Sequence, residues 1–352
     1  MTKVKVKTSG FFVSILHGSK EQTTKNGRTF AMADRDETLL IFCQNGTLIG
    51  NPDDSQRGLI TGIIYLCVAC ISIPMSCLIL YAFTRPEQIK HSSTKCLTIA
   101  TSADILNMIN ACVISGLASI YGWTLCDAEK YWFFVFNYWV LWMWYFYCIA
   151  SMVLAVNRML NFVSTRAYNL LFSGRKPWLW LVFMMCYCTA GMIITPCVLV
   201  YFPNLGHYKD AIVNPFHIYQ NFAKIGIVTS SYTIMLIYIA RMQRSLELDH
   251  NYQIPVSLQS MGVAMLGDFC AIAFLLGSYV PQHWAFYAYS GTMSHSSWLA
   301  LHTGTGIIYL TANKSVQKTV KQLFSKPRAQ IATYNLAIVP YFSHSLRQEN
   351  YM

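Results

Sequence analysis

Seven long apolar stretches divide this chain, at about residues 59–83, 96–119, 131–156, 178–200, 216–240, 255–280 and 285–311. Each runs ~20 residues or more, the length an α-helix needs to cross a hydrocarbon layer of about 30 Å. In lipid every backbone N–H and C=O must find its partner internally, so stretches of this kind fold as spanning helices. A β-barrel does not fit, because its strands read as ~10-residue alternating segments rather than solid apolar runs. The chain is 54% hydrophobic and 12% charged. Ordinary globular domains are roughly 25% charged, so too little polar surface remains for a soluble chain. The expected architecture is an all-α membrane protein, with a seven-helix bundle at 59–311 between polar tails at 1–58 and 327–352.

The formal net charge of +11 is compatible with nucleic acid or with anionic lipid, and its distribution favours the membrane. Arg85, Lys90 and Lys95 follow the first stretch, Arg158, Arg166, Arg175 and Lys176 the third, and Arg241 and Arg244 the fifth. Lys314, Lys318, Lys321, Lys326 and Arg328 follow the seventh, while the opposite short loops hold only Lys130 and Lys209. Lysine and arginine in short loops mark the cytoplasmic side, which places the C-terminus inside and the N-terminus outside. Arg57 alone among the N-terminal basic residues lies near the first span, and distant charges weigh little. Asn45-Gly46-Thr47 is a glycosylation sequon consistent with an outer tail. Asn313-Lys314-Ser315 fits the same pattern on the inner side, where it stays unmodified. The apolar run Phe11–Leu16 is too short for a signal peptide, and Met32 is a second candidate start.

Most of the twelve cysteines lie in or beside the apolar spans, where a thiol packs as a small apolar group. Cys67-x-x-Cys70 and Cys186-x-Cys188 lie within lipid spans without histidine partners, so no metal is expected. Cys43, Cys126 and Cys197 are the three near the outer, oxidising face. Cys126 with Cys197 is a candidate disulfide tying the start of span three to the end of span four.

Loops are too short to hold a catalytic domain, and no internal repeat of the inverted-transporter kind is visible. After span seven, in 312–326, Val316, Val320, Leu323 and Phe324 share one helical face with lysines opposite, an amphipathic helix suited to an anionic leaflet. Ser343 and Ser345 in the tail are candidate phosphorylation sites. No G-x-S-x-G, H-E-x-x-H or P-loop motif is present, which points away from an enzyme, and no cofactor is expected.

Ionisable groups within lipid are expensive and are functional candidates by default. Asp104 falls in the inner half of span two, where Ser102 or a hydroxyl of span seven could satisfy it. Lys224 in span five and Asp268 in span six could pair across the bundle or face a ligand. His295 and His302 on span seven are either ligand contacts or internally bonded side chains. Span three is dense in aromatics, and Tyr138, Trp142 and Tyr145 share a face that could line an apolar pocket. Arg158 ends the third span, after Asn157.

Several of these pieces together resemble the nematode serpentine chemoreceptors, most closely class T. They are Gly62-Ile63-Ile64-Tyr65-Leu66, Lys95-Cys96-Leu97-Thr98-Ile99 before Asp104, Gly116 and Gly122 before Cys126, and Leu154-Ala155-Val156-Asn157-Arg158. Leu171-Phe172-Ser173-Gly174 before Trp178 and Trp180, and Ile307-Ile308-Tyr309-Leu310 before Asn313-Lys314, complete a match over about 59–326. The resemblance implies a distantly rhodopsin-like receptor of chemosensory neurons, at the plasma membrane and in sensory cilia. It further implies a small-molecule ligand and a heterotrimeric G protein as partners, with membrane lipid around it and no nucleic acid. Arg158, with Asn157, would be the coupling residue, and Asp104 with Tyr309 a polar core network. Asn157 stands where such receptors often carry an acid, so a hydrogen bond from Asn157 would hold Arg158 less tightly. Gly304 and Gly306 stand where an Asn-Pro pair is usual, and Pro281 lies at the outer end of span six rather than in a mid-span switch. Two other classes share the pattern of spans: an odorant-gated cation channel subunit, which has its N-terminus inside, and a non-signalling scaffold or escort protein.

Overall fold

A computed structural model describes residues 43, 44, 47, 48, 50, 51, 53–127, 131–195, 197–210, 214–245, 253–279, 284 and 286–325. Asn45, Lys130, Pro281, Met32, the Phe324 side chain and the tail with Ser343 and Ser345 lie outside the described residues. Seven helices form one bundle. Span one is Ser55–Thr84, span two Ser92–Tyr121 and span three Tyr131–Val163. Span four is Lys176–Ile194, span five Pro215–Ser245, span six Gln253–Tyr279 and span seven Tyr287–Ala312.

Burial sorts the spans. The most apolar window of span three is 72% buried and that of span one only 28%, so span three is the central post and span one a lipid-facing wall. Span one shows how the sequence achieves this. Gly58, Gly62, Tyr65, Ala69, Ser72 and Ser76 recur at three- and four-residue spacing and are buried, while Leu59, Ile60, Ile63, Ile64 and Ile71 face outward. Lipid is as apolar as leucine, so helices associate by close packing of small residues instead. At Gly62 a Cβ would stand 2.5 Å from the Gly116 carbonyl oxygen of span two. Span seven inverts the soluble pattern more fully, burying Ser290, Ser294, His295, Ser297, His302 and Thr305. Its polarity is inward.

Span two contains a π-helical segment, Ile109–Ile114. Such a wide turn interrupts the regular ladder and frees backbone carbonyls for other partners. Ser115 Oγ donates to the Asn110 carbonyl at 2.8 Å, and the Ala111 carbonyl accepts from His295 Nε2 of span seven at 3.1 Å.

Between spans four and five the chain forms an antiparallel hairpin, Leu199–Phe202 with His207–Asp210. Its turn closes through Gly206 at φ 70°, a conformation that a side chain would strain. All four residues of the first strand are buried. The hairpin enters the end of the bundle between the helices. A second, two-residue pairing, Cys43–Gln44 with Thr47–Leu48, lies against it, and Leu48, Leu125, Phe134, Val198, Val200 and Phe202 form a separate apolar cluster there.

The disulfide is Cys43–Cys126, which corrects the expected pairing of Cys126 with Cys197. Cys197 is a buried thiol outside any disulfide, its Sγ donating to the Val198 carbonyl at 3.6 Å, and it packs in the main core beside Leu199 and Tyr201. The strand that follows it leads into the bundle and draws it away from Cys126. Cys43 reaches Cys126 because the short tail strand pairs over the mouth of the bundle.

The opposite end carries the basic loops. A short helix, Thr165–Phe172, starts at Ser164, whose Oγ accepts from the Ala167 amide at 3.3 Å. Its last carbonyls, at Asn169 and Leu170, accept from Lys176 Nζ at 3.1 and 2.8 Å, a cation where the helix dipole favours one. After span seven, Lys314–Ser325 forms the amphipathic helix. Asn313 caps it, its Oδ1 accepting from the amides of Ser315 and Val316 at 3.0 and 3.1 Å, while Val316 is fully buried.

Candidate functional site

The centre of the bundle holds an acid and a base from distant parts of the chain. Asp104 on span two is 4% exposed and His302 on span seven is fully buried. His302 Nδ1 donates to Asp104 Oδ1 at 2.6 Å. The expected partners of Asp104, Ser102 or a span-seven hydroxyl, are thereby corrected to an imidazole. Ser102 Oγ instead donates to the Thr98 carbonyl at 2.9 Å, within its own helix. An unpaired carboxylate in lipid is costly, and a facing imidazole offsets that cost more fully than a hydroxyl.

Above this pair lies a buried cation. Lys224 on span five is 1% exposed, and its Nζ donates to the Gly267 carbonyl of span six at 2.6 Å. The ammonium also stands 5.5 Å from the Trp144 ring centroid and 5.4 Å from that of Tyr147, within cation–π range. Of the two alternatives for this pair, a bridge across the bundle is not formed: Asp268 turns aside and accepts from Thr229 Oγ1 at 2.6 Å. One helical position separates Gly267 from Asp268, enough to aim the carboxylate at a different face.

Trp144 and Tyr147 connect the two buried groups. The Tyr147 ring meets His302 edge-on at 4.9 Å, and Trp144 meets Trp298 edge-on at 6.2 Å. The Trp144 indole N–H donates to Asn221 Oδ1 at 3.2 Å, while the indole N–H of buried Trp298 has no partner among the described residues. Sequence spacing pointed instead to Tyr138, Trp142 and Tyr145. Those three share a helix face, but it turns towards span four, span five and the hairpin. Trp142 Nε1 donates to Thr189 of span four at 3.3 Å, Tyr145 accepts from Asn214 at 2.8 Å, and Tyr138 packs on Phe134 at 5.3 Å. Span three therefore presents Trp144 and Tyr147, not the expected face, to the bundle centre. Helical periodicity defines a face but not which neighbour it meets.

His295 sits beneath the hairpin. Its ring stacks on Tyr65 at 4.8 Å and lies 5.9 Å from Tyr208. The hairpin is fastened by tyrosine hydroxyls: Tyr65 donates to the Gly206 carbonyl, Tyr208 and Ser115 share a hydrogen bond at 2.9 Å, and Tyr201 and Ser119 another at 2.7 Å. His207 at its turn is buried against Gly291, where a Cβ would lie 2.2 Å from the ring. Burial, and secondarily the charge of Lys209, push the His207 pKa down to about 3. The imidazole is held neutral.

At the basic end, Asn157 is fully buried and does not hold Arg158. Its Oδ1 accepts from Ser93 Oγ at 2.8 Å and its Nδ2 donates to Ser92 Oγ at 3.3 Å, so it ties span three to the start of span two. Arg158 is half-buried, and its Nε has no hydrogen-bond partner among the described residues. Tyr309 of span seven, 4% exposed, packs edge-on against Phe83 at 5.5 Å and lies within electrostatic reach of both Asp104 and Arg158. No group of metal-ligating side chains occurs among the described residues.

Comparison with known proteins bears on this arrangement. The model of the serpentine type 7TM GPCR chemoreceptor Srt family matches residues 43–333. Squid rhodopsin has a similar fold, with a TM-score of 0.57 at 12% identity, over 80% of this chain and 89% of that one. No curated protein matches the sequence.

Proposed function

Because the chain belongs to the Srt family of serpentine seven-helix chemoreceptors, we propose that it detects a small molecule and signals through a heterotrimeric G protein. It is a multi-pass membrane protein, and on this reading the hairpin end faces outside and the basic end the cytosol of a sensory neuron, at its cilia. The ligand sits among spans three, five, six and seven beside Trp144 and Trp298. It favours one packing of those helices over another by binding the two with different affinity. Arg158, free of an internal latch, is presented to the G protein by the favoured packing.

One observation carries this reading: a run of polar groups through the bundle. It leads from Lys224 through Tyr147 to the His302–Asp104 pair, with Tyr309 within electrostatic reach of Asp104 and of half-buried Arg158. Along it Thr101 Oγ1, Asn107 Oδ1 and Thr305 Oγ1 are buried without partners among the described residues. Imperfectly satisfied polar groups in lipid cost stability, and their presence between two ends of a bundle fits an element with two arrangements.

The test is calcium imaging of cells expressing the full chain, with and without a supplied Gα subunit, against an odorant panel. Responses that require Gα are expected, and Arg158→Ala should weaken them by about tenfold or more while surface expression is unchanged. Undiminished signalling by that variant would remove Arg158 from its role. Loss of a glycan upon Asn45→Gln is the expected sign of an outer N-terminus; an unglycosylated, cytosolic tail would favour the channel reading.

A further inference from the structure

The reading above leaves the chemistry of the ligand open, and Lys224 narrows it. Among the described residues it is the only buried lysine or arginine. Its ammonium has three N–H donors and a single hydrogen-bond acceptor, the Gly267 carbonyl. Gly267 is what admits it: a Cβ there would stand 3.0 Å from Nζ and 3.6 Å from the Tyr147 hydroxyl. Asp268, next to Gly267, hydrogen-bonds to Thr229 and lies within electrostatic reach of the ammonium without pairing with it, so among the described residues no carboxylate forms an ion pair with the cation. The Trp298 indole N–H, on the far side of Trp144, has no acceptor either. The ammonium and the Trp298 indole N–H thus both keep donors to spare around the Trp144–Tyr147 pair, and the ammonium is surrounded by aromatic faces.

We propose that Lys224, with Trp298, receives a small carboxylic acid, the carboxylate meeting the ammonium and the apolar body lying against Trp144, Tyr147 and Phe274. A single cation matches a single negative charge, which favours a carboxylate over a phosphate. Ligand oxygens take over the role of the Gly267 carbonyl, so binding loosens Lys224 from span six while adding a bridge from span five to span seven. That exchange gives the ligand its differential grip on two packings. The proposal rests on the reading of the chain as a ligand-detecting receptor, and specifies its ligand.

The experiment uses the purified full chain in lipid nanodiscs, with thermal unfolding followed as each probe is titrated. The probes are 3-phenylpropanoate and decanoate, each against its methyl ester. The acids should raise the unfolding temperature in a saturable way, and the esters should bind about 30-fold more weakly or worse, the loss expected when a buried charge loses its partner. Lys224→Met should bring the acids down to the level of the esters, and Lys224→Arg should retain most of the acid binding. Equal binding of acid and ester, or acid binding by Lys224→Met within threefold of the parent, overturns the proposal. If Lys224→Met does not fold, the acid–ester comparison on the parent chain decides alone. Acid binding without any Gα-dependent response defeats only the signalling role. Gα-dependent responses to uncharged odorants, with no binding of either acid, defeat only the carboxylate.

Discussion

The two ends of the bundle are built on opposite plans. At the hairpin end, three tyrosine hydroxyls, the Asn204 amide on Asn51 Oδ1 at 3.1 Å and the Cys43–Cys126 bond fasten strand, tail and helices together. At the basic end, Asn157 makes two bonds to serines of span two, and the Arg158 Nε beside it has no partner among the described residues. The knitted end keeps its shape when the helices shift. The looser end can change partners at small cost, as a surface that docks a second protein only in one state must. The difference locates rigidity and responsiveness in different parts of one chain.

The largest expected effect breaks the knitted end. The Cys43–Cys126 bond spans 83 residues, and removing a cross-link of that loop size costs about 4.5 kcal/mol in the chain-entropy view. Cys43→Ser should therefore lower the unfolding temperature in nanodiscs as strongly as Cys126→Ser, and Cys197→Ser little; a strong loss in Cys197→Ser with little in Cys43→Ser would restore the pairing expected from sequence. Next is the centre between the ends. His302→Ala leaves Asp104 buried without its partner and should cost about 3 kcal/mol in the same assay.

A third measurement asks whether the hairpin end is sealed. The His207 pKa is pushed to about 3, against ~6.5 in an unfolded chain. Between those values the unfolded state binds the extra proton, so the contribution is complete above pH ~6.5 and is lost as pH falls, by up to about 1.4 kcal/mol per unit. His207→Asn should flatten that part of the pH–stability curve; an unchanged curve would mean the ring is open to water. The smallest effect sharpens the comparison at the basic end. Asn157→Ala should cost only about 1 kcal/mol for each of its two hydrogen bonds, yet raise ligand-free signalling, and basal signalling equal to the parent's would show that the Asn157–serine link is not a restraint.

What was legible in the sequence follows the range of the forces involved. Spanning helices arise from local apolar runs, so the seven-helix fold could be read directly, as could the amphipathic helix around Val316. Asp104 stood out because a charge in lipid needs a reason. Its partner did not, since His302 lies 198 positions away and their meeting depends on how two helices are rotated. Cys197 misled for a related cause: nearness to the membrane face says nothing of the strand that carries it inward. The Trp144–Tyr147 face was hidden by abundance, because aromatics surround span three and spacing alone cannot choose among them.

The hairpin has a mechanical consequence. Its tyrosine bonds run to spans one and two, which are themselves locked at Gly62 and Gly116, and it also meets span seven, through Tyr208 against His295 and Trp298, His207 against Gly291 and a 3.4 Å bond from Thr292 to the Leu205 carbonyl. Spans one, two and seven with the hairpin form a frame, and spans five and six are the parts that can slide against it. A wedge placed beside Trp298 would then push on one side only, so that a displacement small at the ligand grows with distance along the lever of span six towards the far rim.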